Sequence, residues 1–582
     1  MKPLISGTAA PAGGRPVFRI CIVVPEADGP NGIAAVRRTL ESLAESLAQA
    51  GQEVTVLTVP GANREPAESR RWLEWGAVRA IRIEPLPIEG GPRLIRSAWM
   101  GRSFQAFEWL KDRGFDAAHF AELGGVAFYS VGAKHQGLAF AATRLAVHRH
   151  SRTLDQRLGA DEYVVALEEL ELEFMERESV RLADAAVGPA ADSSRWIPEQ
   201  EDWTAHLNRA ARTGTGQPLV SVCLTHYNRP AYLRQALASI EAQDYLNHEI
   251  VLVDDASTMP EAIDQLRVLE ASFHTRGWTL IRNQENLFPG AARNLAAQRA
   301  KGEYILFMDD DNVAKPHAIS TFVGVAQRTG AEIVSCTLDM FSGEAAPDAA
   351  STPTARMLFL GGAVSAGAFS NYFGDTNSLF RRDVFLKLGG FHEHKAIGFE
   401  DWKLLGDAVL RGYRLETISD ALVWYRRHSD GQHVGGRIRV QASHHERLQP
   451  YLDAVPPAMR PLVLYAQGMW FANRAAKEKA SPEYAAATRQ WRMKLEAGLA
   501  VVDKDARLGA ELMLQAIGVA EKIGHPGILL DAIIDVAPRL GPLDPEPAKG
   551  LLRRAIEVAG NYGCANEKLA AQRLLATMGS AS

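Results

Sequence analysis

The stretch "LVSVCLTHYNRPAYLRQALASIEAQDYLNHEIVLVDD", residues 219–255, sets out a strand, a helix and a second strand in order. Both strand segments are apolar almost throughout, and the segment between them has helical spacing. Further apolar strand candidates follow at 279–283 and 304–310, separated by the helical "GAARNLAAQRA". Strands that alternate with helices and are apolar on both faces predict a mostly parallel sheet covered on both sides, which is an α/β fold.

Polar residues gather where these predicted strands end. They are Thr225, His226, Tyr227 and Asn228 after the first strand, Asp254 and Asp255 after the second, and Asp309, Asp310, Asp311 and Asn312 after the fourth. Ligands of open α/β sheets bind beyond the carboxyl ends of the strands. We therefore expect the functional site at this edge of the sheet.

The acidic run Asp309–Asp311 has two readings. Asp and Asn favour turns and helix caps, so the run could simply end a strand. Three neighbouring carboxylates also repel one another, and a hard divalent cation would relieve that repulsion. Mg²⁺ or Mn²⁺ suits oxygen ligands and often completes its shell with substrate phosphates. The residues alone leave both readings open.

A third acidic feature is the segment "GFEDWKLLGDAVLRGYRLETI", residues 398–418. Its apolar spacing predicts a helix whose first turn carries Glu400 and Asp401. Carboxylates there stabilise a helix as caps and by interaction with its dipole. The alternative is a general base, because a carboxylate facing a crevice can accept a proton from an acceptor hydroxyl.

Composition limits the class of protein. The chain has 582 residues, 23% of them charged, and a formal net charge of -5, so nothing indicates nucleic-acid binding. Its four cysteines lie far apart, which predicts no disulfide framework and a reducing cytoplasm. We see no apolar run of about 18 residues and no signal-peptide pattern, so we expect a cytoplasmic protein that could associate peripherally with a membrane.

The chain is long enough for several domains. We predict a disordered lead (1–17), a Rossmann-like α/β domain (18–190), a linker (191–217), the α/β domain described above (218–436) and an all-helical domain (437–582). The first α/β domain opens with a βαβ pattern whose turn contains Gly32. Beyond 440, Ala, Leu, Arg and Glu dominate and strand signals vanish.

The order of motifs resembles the family 2 glycosyltransferases, enzymes with the GT-A fold. The motifs are "LTHYNRPAYLRQAL", "HEIVLVDDAST", "NQENLFPGAARNLAAQRAKGEYILFMDDDN", "NSLFRRDVFLKLGGFHE" and "GFEDWKLLGDAVLRGYRL". They cover about residues 217–430, and the one departure is "NLFPG" in place of the usual N-x-G. The domain before it resembles, more weakly, the N-terminal half of family 4 (GT-B) glycosyltransferases. The second half of that fold does not follow, so we expect an accessory role for residues 18–190.

The resemblance implies a role for each matching residue. Those implied to contact the nucleotide-sugar are Thr225, Tyr227, Arg229, Asp254, Asp255, Arg293, Asp309 and Asp310. Asp309 and Asp311 stand at the two acidic positions of the D-x-D motif, with Asp311 the direct metal ligand and Asp309 the ribose-side or second metal partner. Asp310 is the one expected to be replaceable. His428 stands where relatives carry a histidine that binds the metal or contacts the diphosphate.

The implied activity is metal-dependent, inverting transfer of a sugar from a nucleotide-diphosphate sugar, with UDP-sugar expected. The acceptor is a hydroxyl in polysaccharide, glycolipid or glycoprotein synthesis. Asp401, beside Glu400, matches the catalytic base, and Arg426 or Arg427 would help the metal neutralise the leaving diphosphate. Two alternatives are a non-catalytic nucleotide-sugar or carbohydrate-binding scaffold and a nucleotidyltransferase. The latter usually has a Gly-rich phosphate loop that "THYNRPAY" lacks.

Overall fold

The computed structural model describes residues 16–25, 33–60, 66–88, 91–150, 152–188, 216–395, 397–427, 440–562 and 564–579. Gly32, His428, most of the predicted lead and most of the predicted linker lie outside these residues. The chain forms two compact units. The first comprises Met1–Gly390 and Arg411–Arg427, and the second comprises Phe391–Leu410 and His428–Ser582.

The N-terminal part of the first unit is built on a six-stranded parallel sheet in the order β3-β2-β1-β5-β6-β7. Its strands are β1 (Arg19–Pro25), β2 (Glu53–Val59), β3 (Arg82–Pro85), β5 (Ala117–Ala121), β6 (Arg144–His148) and β7 (Ala185–Val187). Its helices are α1 (Ile33–Gln49), α2 (Pro66–Ala77), α3 (Ala98–Leu110), α4 (Phe128–Gln136), α5 (Thr153–Gly159) and α6 (Leu167–Leu182). This doubly wound order confirms the predicted Rossmann-like domain.

Strand β1 shows why its sequence is apolar throughout. Cys21 and Val23 pack into one hydrophobic cluster, whereas Ile20, Ile22 and Val24 pack into another. Successive side chains of a strand point to opposite faces, so helices cover both faces of this sheet.

The rest of the first unit is built on a second, mixed sheet in the order β10-β9-β8-β11-β15-β13-β14-β4. Its strands are β4 (Arg93–Ile95), β8 (Val220–His226), β9 (His248–Asp254), β10 (Thr279–Arg282), β11 (Tyr304–Asp309), β12 (Val313–Ala314), β13 (Ile333–Ser342), β14 (Ala355–Met357), β15 (Leu379–Arg381) and β16 (Leu415–Arg427). Its helices are α7 (Pro230–Glu241), α8 (Pro260–Arg276), α9 (Phe288–Arg299), α10 (Ala318–Thr329), α11 (Val364–Gly367) and α12 (Arg382–Leu388). The four predicted strands, β8 to β11, are parallel neighbours as expected.

The two sheets of the first unit share a strand and a core. Strand β4 comes from the N-terminal part of the chain but pairs with β14. The hydrophobic cluster that contains Phe104 and Tyr129 also contains Leu358, Leu360 and Tyr372 from the second sheet's side. For this reason the structure joins the predicted domains 18–190 and 218–436 in one unit.

The Arg96 side chain, just after β4, is partly buried at this junction. Its Nε and Nη2 donate to the carbonyl oxygens of Leu358 (3.0 Å) and Asn371 (2.5 Å). Its guanidinium also lies over the rings of Phe359 and Tyr372. A charged side chain that donates to two separate carbonyl groups restricts the geometry of the elements that it joins.

The second unit is helical, as predicted. Its helices are α13 (Glu400–Leu410), α14 (Val440–Ala454), α15 (Arg460–Lys479), α16 (Pro482–Val501), α17 (Ala506–Ile523), α18 (Pro526–Leu540), α19 (Pro545–Tyr562) and α20 (Ala565–Gly579). Helix α13 packs against α14, so residues 391–410 belong to this unit rather than to the predicted domain 218–436.

The cysteines and the described helices bear on the expectations from composition. All four cysteines are free thiols, and Cys21, Cys223 and Cys336 are buried. Among the described helices, none combines the length and the apolar character that a membrane span requires.

Candidate functional site

The register of the second sheet brings the predicted strand ends level with one another. Asp309 of β11 lies opposite Thr225 of β8, and His226 of β8 lies opposite Asp254 of β9. The carboxyl ends of three adjacent parallel strands therefore form one polar edge. Tyr227 follows at this edge with 40% of its surface exposed, which leaves its ring accessible to a ligand.

Arg229 and His226 pair with the last two carboxylates of the acidic run. Arg229 Nη1 donates to Asp311 Oδ2 at 2.6 Å and to Asp310 Oδ1 at 3.4 Å. His226 Nδ1 donates to Asp310 Oδ2 at 2.7 Å, and both side chains are buried. Burial acts to lower the pKa of Arg229, but the carboxylates of Asp310 and Asp311 outweigh it and raise that pKa.

Arg293, from helix α9, pairs with the first carboxylate of the run. Its Nη2 donates to Asp309 Oδ1 at 2.6 Å, and its side chain is only 7% exposed. Burial raises the pKa of Asp309, and Arg293 opposes the shift. Arg229 and Arg293 therefore already offset the repulsion among the carboxylates of the acidic run. This repulsion alone does not require a metal.

Asp310 differs from the sequence expectation. The residue was expected to be replaceable, but it is 4% exposed and bonds both His226 and Arg229. A buried carboxylate with two such partners organises the site, because its removal would leave a buried donor without an acceptor.

The end of β9 is held by its own two carboxylates. Asp255 accepts hydrogen bonds from Asn283 Nδ2 (2.8 Å) and from the backbone amides of Leu287 and Phe288 (both 2.9 Å). Phe288 has a φ of 71° in the "NLFPG" segment, a conformation that is strained for an aromatic residue. The Asp255 carboxylate thus fixes the turn in which this chain departs from the family motif.

Asp254 is placed differently from its neighbour. Its Oδ2 accepts the Ser257 amide at 3.3 Å, while Oδ1 is buried with no hydrogen-bond partner among the described residues. Buried polar atoms usually have a partner, so Asp254 Oδ1 is an acceptor that a ligand donor could satisfy.

Asp375 belongs to the same site, although the sequence analysis did not single it out. Burial and the nearby Asp309 raise the pKa of Asp375 to about 6. Its Oδ1 accepts a hydrogen bond from the Asn377 backbone amide at 2.8 Å. Strand β15 runs antiparallel to β11, so the residues before β15, rather than after it, meet this edge. Reading only strand ends, as a parallel sheet suggests, misses them.

The Arg426 side chain is hydrogen-bonded to groups of the protein itself. Its Nε donates to the Asp311 carbonyl at 3.0 Å and its Nη2 to Gln235 Oε1 at 2.6 Å. Its guanidinium also lies over Tyr232, and the residue is 3% exposed. Arg426 therefore holds the turn after β11 to the strand β16, and the expectation that Arg426 or Arg427 helps to neutralise a leaving diphosphate stays a prediction.

Glu400 and Asp401 lie in the first turn of α13, in the second unit, and both are partly exposed. The helix begins there because Trp402, Leu404, Leu405 and Ala408 bury its other face. A carboxylate in a first turn is stabilised by the helix dipole. This placement is compatible both with a helix-capping role and with the role of a general base.

The oxygen donors of the acidic run fit a hard divalent cation only in part. Within the described residues no group of three or more His, Cys, Asp and Glu side chains could hold a metal ion. Mg²⁺ and similar ions are often bound through one or two carboxylates, with water and substrate phosphates as the other ligands. The donor set fits a cation that arrives with a diphosphate, and not one held in a protein cage.

The residues of this edge lie in the part of the chain that resembles known proteins. The family model described as Glycosyl transferase family 2 matches residues 221–389. An uncharacterized glycosyltransferase of Nostoc sp. is 29% identical over 220 residues, which are 37% of this chain and 66% of that protein. The O-antigen biosynthesis protein RfbC of Myxococcus xanthus is 29% identical over 260 residues, 42% of this chain and 18% of that protein.

A crystal structure of S. aureus TarS 1-349 with UDP-GlcNAc matches 62% of this chain and 92% of that chain, with 16% identity and a TM-score of 0.37. We draw no conclusion from so low a score. The chain spans less than two thirds of the length of the curated relatives named above. Residues 221–389, the segment that the Glycosyl transferase family 2 model matches, contain Thr225, Asp255, Arg293 and Asp311.

Proposed function

We propose that the protein is a glycosyltransferase that moves a sugar from a nucleotide-diphosphate sugar to an acceptor hydroxyl in polysaccharide, glycolipid or glycoprotein synthesis. One observation carries the proposal: the family 2 segment places ion-paired carboxylates and arginines at the carboxyl edge of its parallel sheet. Such an edge can bind both the hydroxyl-rich and the anionic parts of a nucleotide-sugar. The relation to RfbC favours a polysaccharide acceptor.

Donor binding is assigned to the side chains at this edge. Tyr227 is exposed enough to stack on a base, and the unpaired Asp254 Oδ1 can accept from a base or ribose donor. Asp309, the first residue of the acidic run, lies opposite Thr225 on the neighbouring strand. A UDP-sugar is the donor we propose, on the family resemblance of these positions.

Mn²⁺ or Mg²⁺ is the proposed cofactor, with Asp311 as its protein ligand; His428 and Asp309 are further candidates. When bound, the cation supplies positive charge for the departing diphosphate. Asp311 is suited to this role because its carboxylate is 13% exposed, whereas Asp310 beside it is 6% exposed.

The proposed reaction inverts the anomeric carbon. Asp401 accepts the proton of the acceptor hydroxyl, the hydroxyl oxygen forms a bond to the anomeric carbon, and the bond from that carbon to the diphosphate oxygen breaks. The nucleoside diphosphate leaves with the electron pair. Glu400 adds a second negative charge in the same helical turn.

The test is a donor screen with the full chain. Nucleotide release is measured with UDP-, GDP- and dTDP-sugars, each with Mn²⁺ or Mg²⁺ and with an oligosaccharide acceptor panel. Asp401→Asn should lower turnover about 10²- to 10⁴-fold and leave donor affinity unchanged, because the base touches only the acceptor. Asp407→Asn, the same change on the same helix, serves as the control. Donor binding without turnover across the acceptor panel would support the scaffold alternative instead.

A further inference from the structure

We infer that helix α15 docks the protein on the surface of an anionic lipid membrane. The inference goes beyond the proposed reaction, because it rests on residues of the second unit alone. Docking would bring the protein to the surface that carries lipid-linked acceptors.

Large apolar side chains are exposed along the first half of α15 and just before it. Five of them, each 41% to 65% exposed, fall within eleven residues: Met459, Leu462, Leu464, Tyr465 and Met469. Of the twenty residues of α15 only Gln467 is buried. Single exposed apolar residues are ordinary on protein surfaces, but a contiguous group of this kind indicates a surface that contacts another body.

The spacing of these residues separates an inner side of α15 from an outer side. Leu462, Tyr465 and Met469 recur at i, i+3 and i+7, so they lie on one side of the helix and form what we call the outer stripe. On the opposite side, Arg447 of α14 donates from Nη2 to Gln467 Oε1 at 3.1 Å. The outer stripe therefore faces away from α14.

The charge of this region favours a lipid surface. Residues 460–501, which span α15 and α16, carry seven Lys and Arg against three Glu, whereas the whole chain has a formal net charge of -5. Exposed basic residues beside exposed apolar ones are typical of helices that lie in the interface of anionic membranes. The basic residues of α15 are Arg460, Arg474, Lys477 and Lys479, and its one acidic residue is Glu478.

Two of these basic side chains already pair with carboxylates of the protein. Arg460 Nη2 lies 3.6 Å from Asp453 Oδ1, and Lys479 Nζ lies 2.8 Å from Glu567 Oε1. We therefore assign the contacts with lipid headgroups to the other two basic residues of the helix.

Arg474 and Lys477 are exposed in the second half of α15. Lys477 follows Met469 at the i+8 spacing, so it lies on the same side of the helix as the outer stripe. A long basic side chain can keep its charge among the headgroups while its apolar neighbours enter the layer beneath them. The helix can thus bury the outer stripe in lipid and hold Lys477 at the anionic surface.

A second copy of the chain suits this helix less well. Parallel pairing of two α15 helices would bring the two ends that carry Arg474 and Lys477 together. Antiparallel pairing would set those residues opposite the start of the helix, where α15 has Arg460 and no acidic residue. Like charges across an interface weaken binding, whereas anionic headgroups attract every one of these residues.

The experiment measures co-sedimentation of the full chain with vesicles, without donor or acceptor. One set of vesicles is phosphatidylcholine, and the other is an equal mixture of phosphatidylcholine and phosphatidylglycerol. We expect the wild type to bind the mixed vesicles about tenfold or more tightly than the neutral ones, and added salt should weaken this binding.

Two variants separate the apolar from the electrostatic contribution. Tyr465→Ser combined with Met469→Ser should weaken binding to the mixed vesicles more than about tenfold, because it removes most of the buried apolar area. Lys477→Gln should weaken it about fivefold, the usual contribution of one basic residue near an anionic surface. All three positions are exposed, so the urea midpoint of each variant should match that of the wild type.

Matched controls come from other helices of the same unit. Leu569→Ser on α20 removes an exposed apolar side chain, and Lys522→Gln on α17 removes an exposed charge. Both should bind the mixed vesicles as the wild type does.

Three results would overturn the inference. They are no binding to the mixed vesicles, equal binding to both kinds of vesicle, and unchanged binding of the Tyr465→Ser, Met469→Ser variant. A wild-type dimer that this double variant converts to a monomer, with no binding to vesicles, would identify a second copy as the occupant instead. Because vesicle binding is measured without substrates, a failure of the proposed function leaves this result standing.

Discussion

The two sheets of the first unit both carry polar residues at the carboxyl ends of their parallel strands, but these residues are hydrogen-bonded in different ways. At the edge of the N-terminal sheet, Glu176 accepts hydrogen bonds from the amides of Gly124 (2.9 Å) and Thr153 (2.8 Å). His119 Nδ1 lies 3.0 Å from His148 Nε2 in the same region. At the edge of the second sheet, arginines and carboxylates form ion pairs.

The polar groups at the edge of the N-terminal sheet bond the protein's own loops, whereas those at the edge of the second sheet can bind a ligand. Burial lowers the pKa of His119 to about 3 and of His148 to about 4, so both rings are neutral near pH 7. Burial also raises the pKa of Glu176 to about 7. The Gly124 and Thr153 amides are already bonded to Glu176 within the protein, whereas the arginines and carboxylates of the second edge are charged groups that can also pair with a charged ligand. We therefore assign the chemistry to the second sheet.

The largest expected effect tests that assignment. Asp311→Asn should lower sugar transfer about a thousandfold, equivalent to about 4 kcal/mol, because it removes the proposed cation ligand. His148→Gln, at the other edge, should leave turnover within about twofold. The measurement is nucleotide release under saturating donor. A comparable loss in both variants would end the distinction between the two edges.

The next effect concerns how the sheets are joined. Arg96→Met should lower the free energy of unfolding by about 3 kcal/mol, because it leaves the carbonyl of the buried Leu358 and that of the partly exposed Asn371 without their charged donor. Arg79→Met, which breaks an exposed pair with Glu45, should cost less than about 1 kcal/mol. Urea unfolding followed by tryptophan fluorescence makes the comparison. Equal shifts for both variants would show that the junction is not stabilised by Arg96.

A smaller effect is the pH dependence of the N-terminal edge. The pKa of Glu176 is raised from 4.5 to about 7, so the folded state holds this proton more tightly than the unfolded state does. Its stabilising contribution is therefore complete below pH 4.5 and is lost as pH rises to about 7, on the order of 2 kcal/mol.

Glu176→Gln should remove this slope and be more stable than the wild type at pH 8. The urea midpoint at several pH values reports it. Glu168→Gln, a change at an exposed position of the same helix, is the control. Parallel pH profiles for the wild type and Glu176→Gln would mean that the carboxyl is already ionised at low pH.

The smallest effect concerns Asp310. Asp310→Asn should reduce kcat/KM for the donor about tenfold, because Asn keeps one acceptor oxygen and can bond either His226 or Arg229 as before, but carries no charge for both. Asp264→Asn on the exposed face of α8 should have no effect. Full activity of Asp310→Asn would restore the view from the sequence that this residue is replaceable.

Much of the sheet could be predicted, because apolar strands and amphipathic helices alternate along the chain. The site was harder to predict where tertiary packing decides it. Asp375 was not predicted, because the three residues of β15 do not reveal whether this strand runs parallel or antiparallel to β11. The pairing of Arg229 and Arg293 with the acidic run depends on the spacing of helices α7 and α9 above β11, which periodicity does not give. The boundaries of the two units differ from the predicted domain boundaries because α13 packs on α14.

Strand β4 limits where the chain can be truncated. The family segment begins at residue 221, yet the outer edge of β14 is completed by Arg93–Ile95, more than a hundred residues earlier. A fragment that begins at the family boundary would expose an unpaired strand edge together with the apolar surfaces of Leu358, Leu360 and Tyr372. We expect such a fragment to aggregate. We therefore expect the segment that matches the family model and the part of the chain that folds stably to have different boundaries.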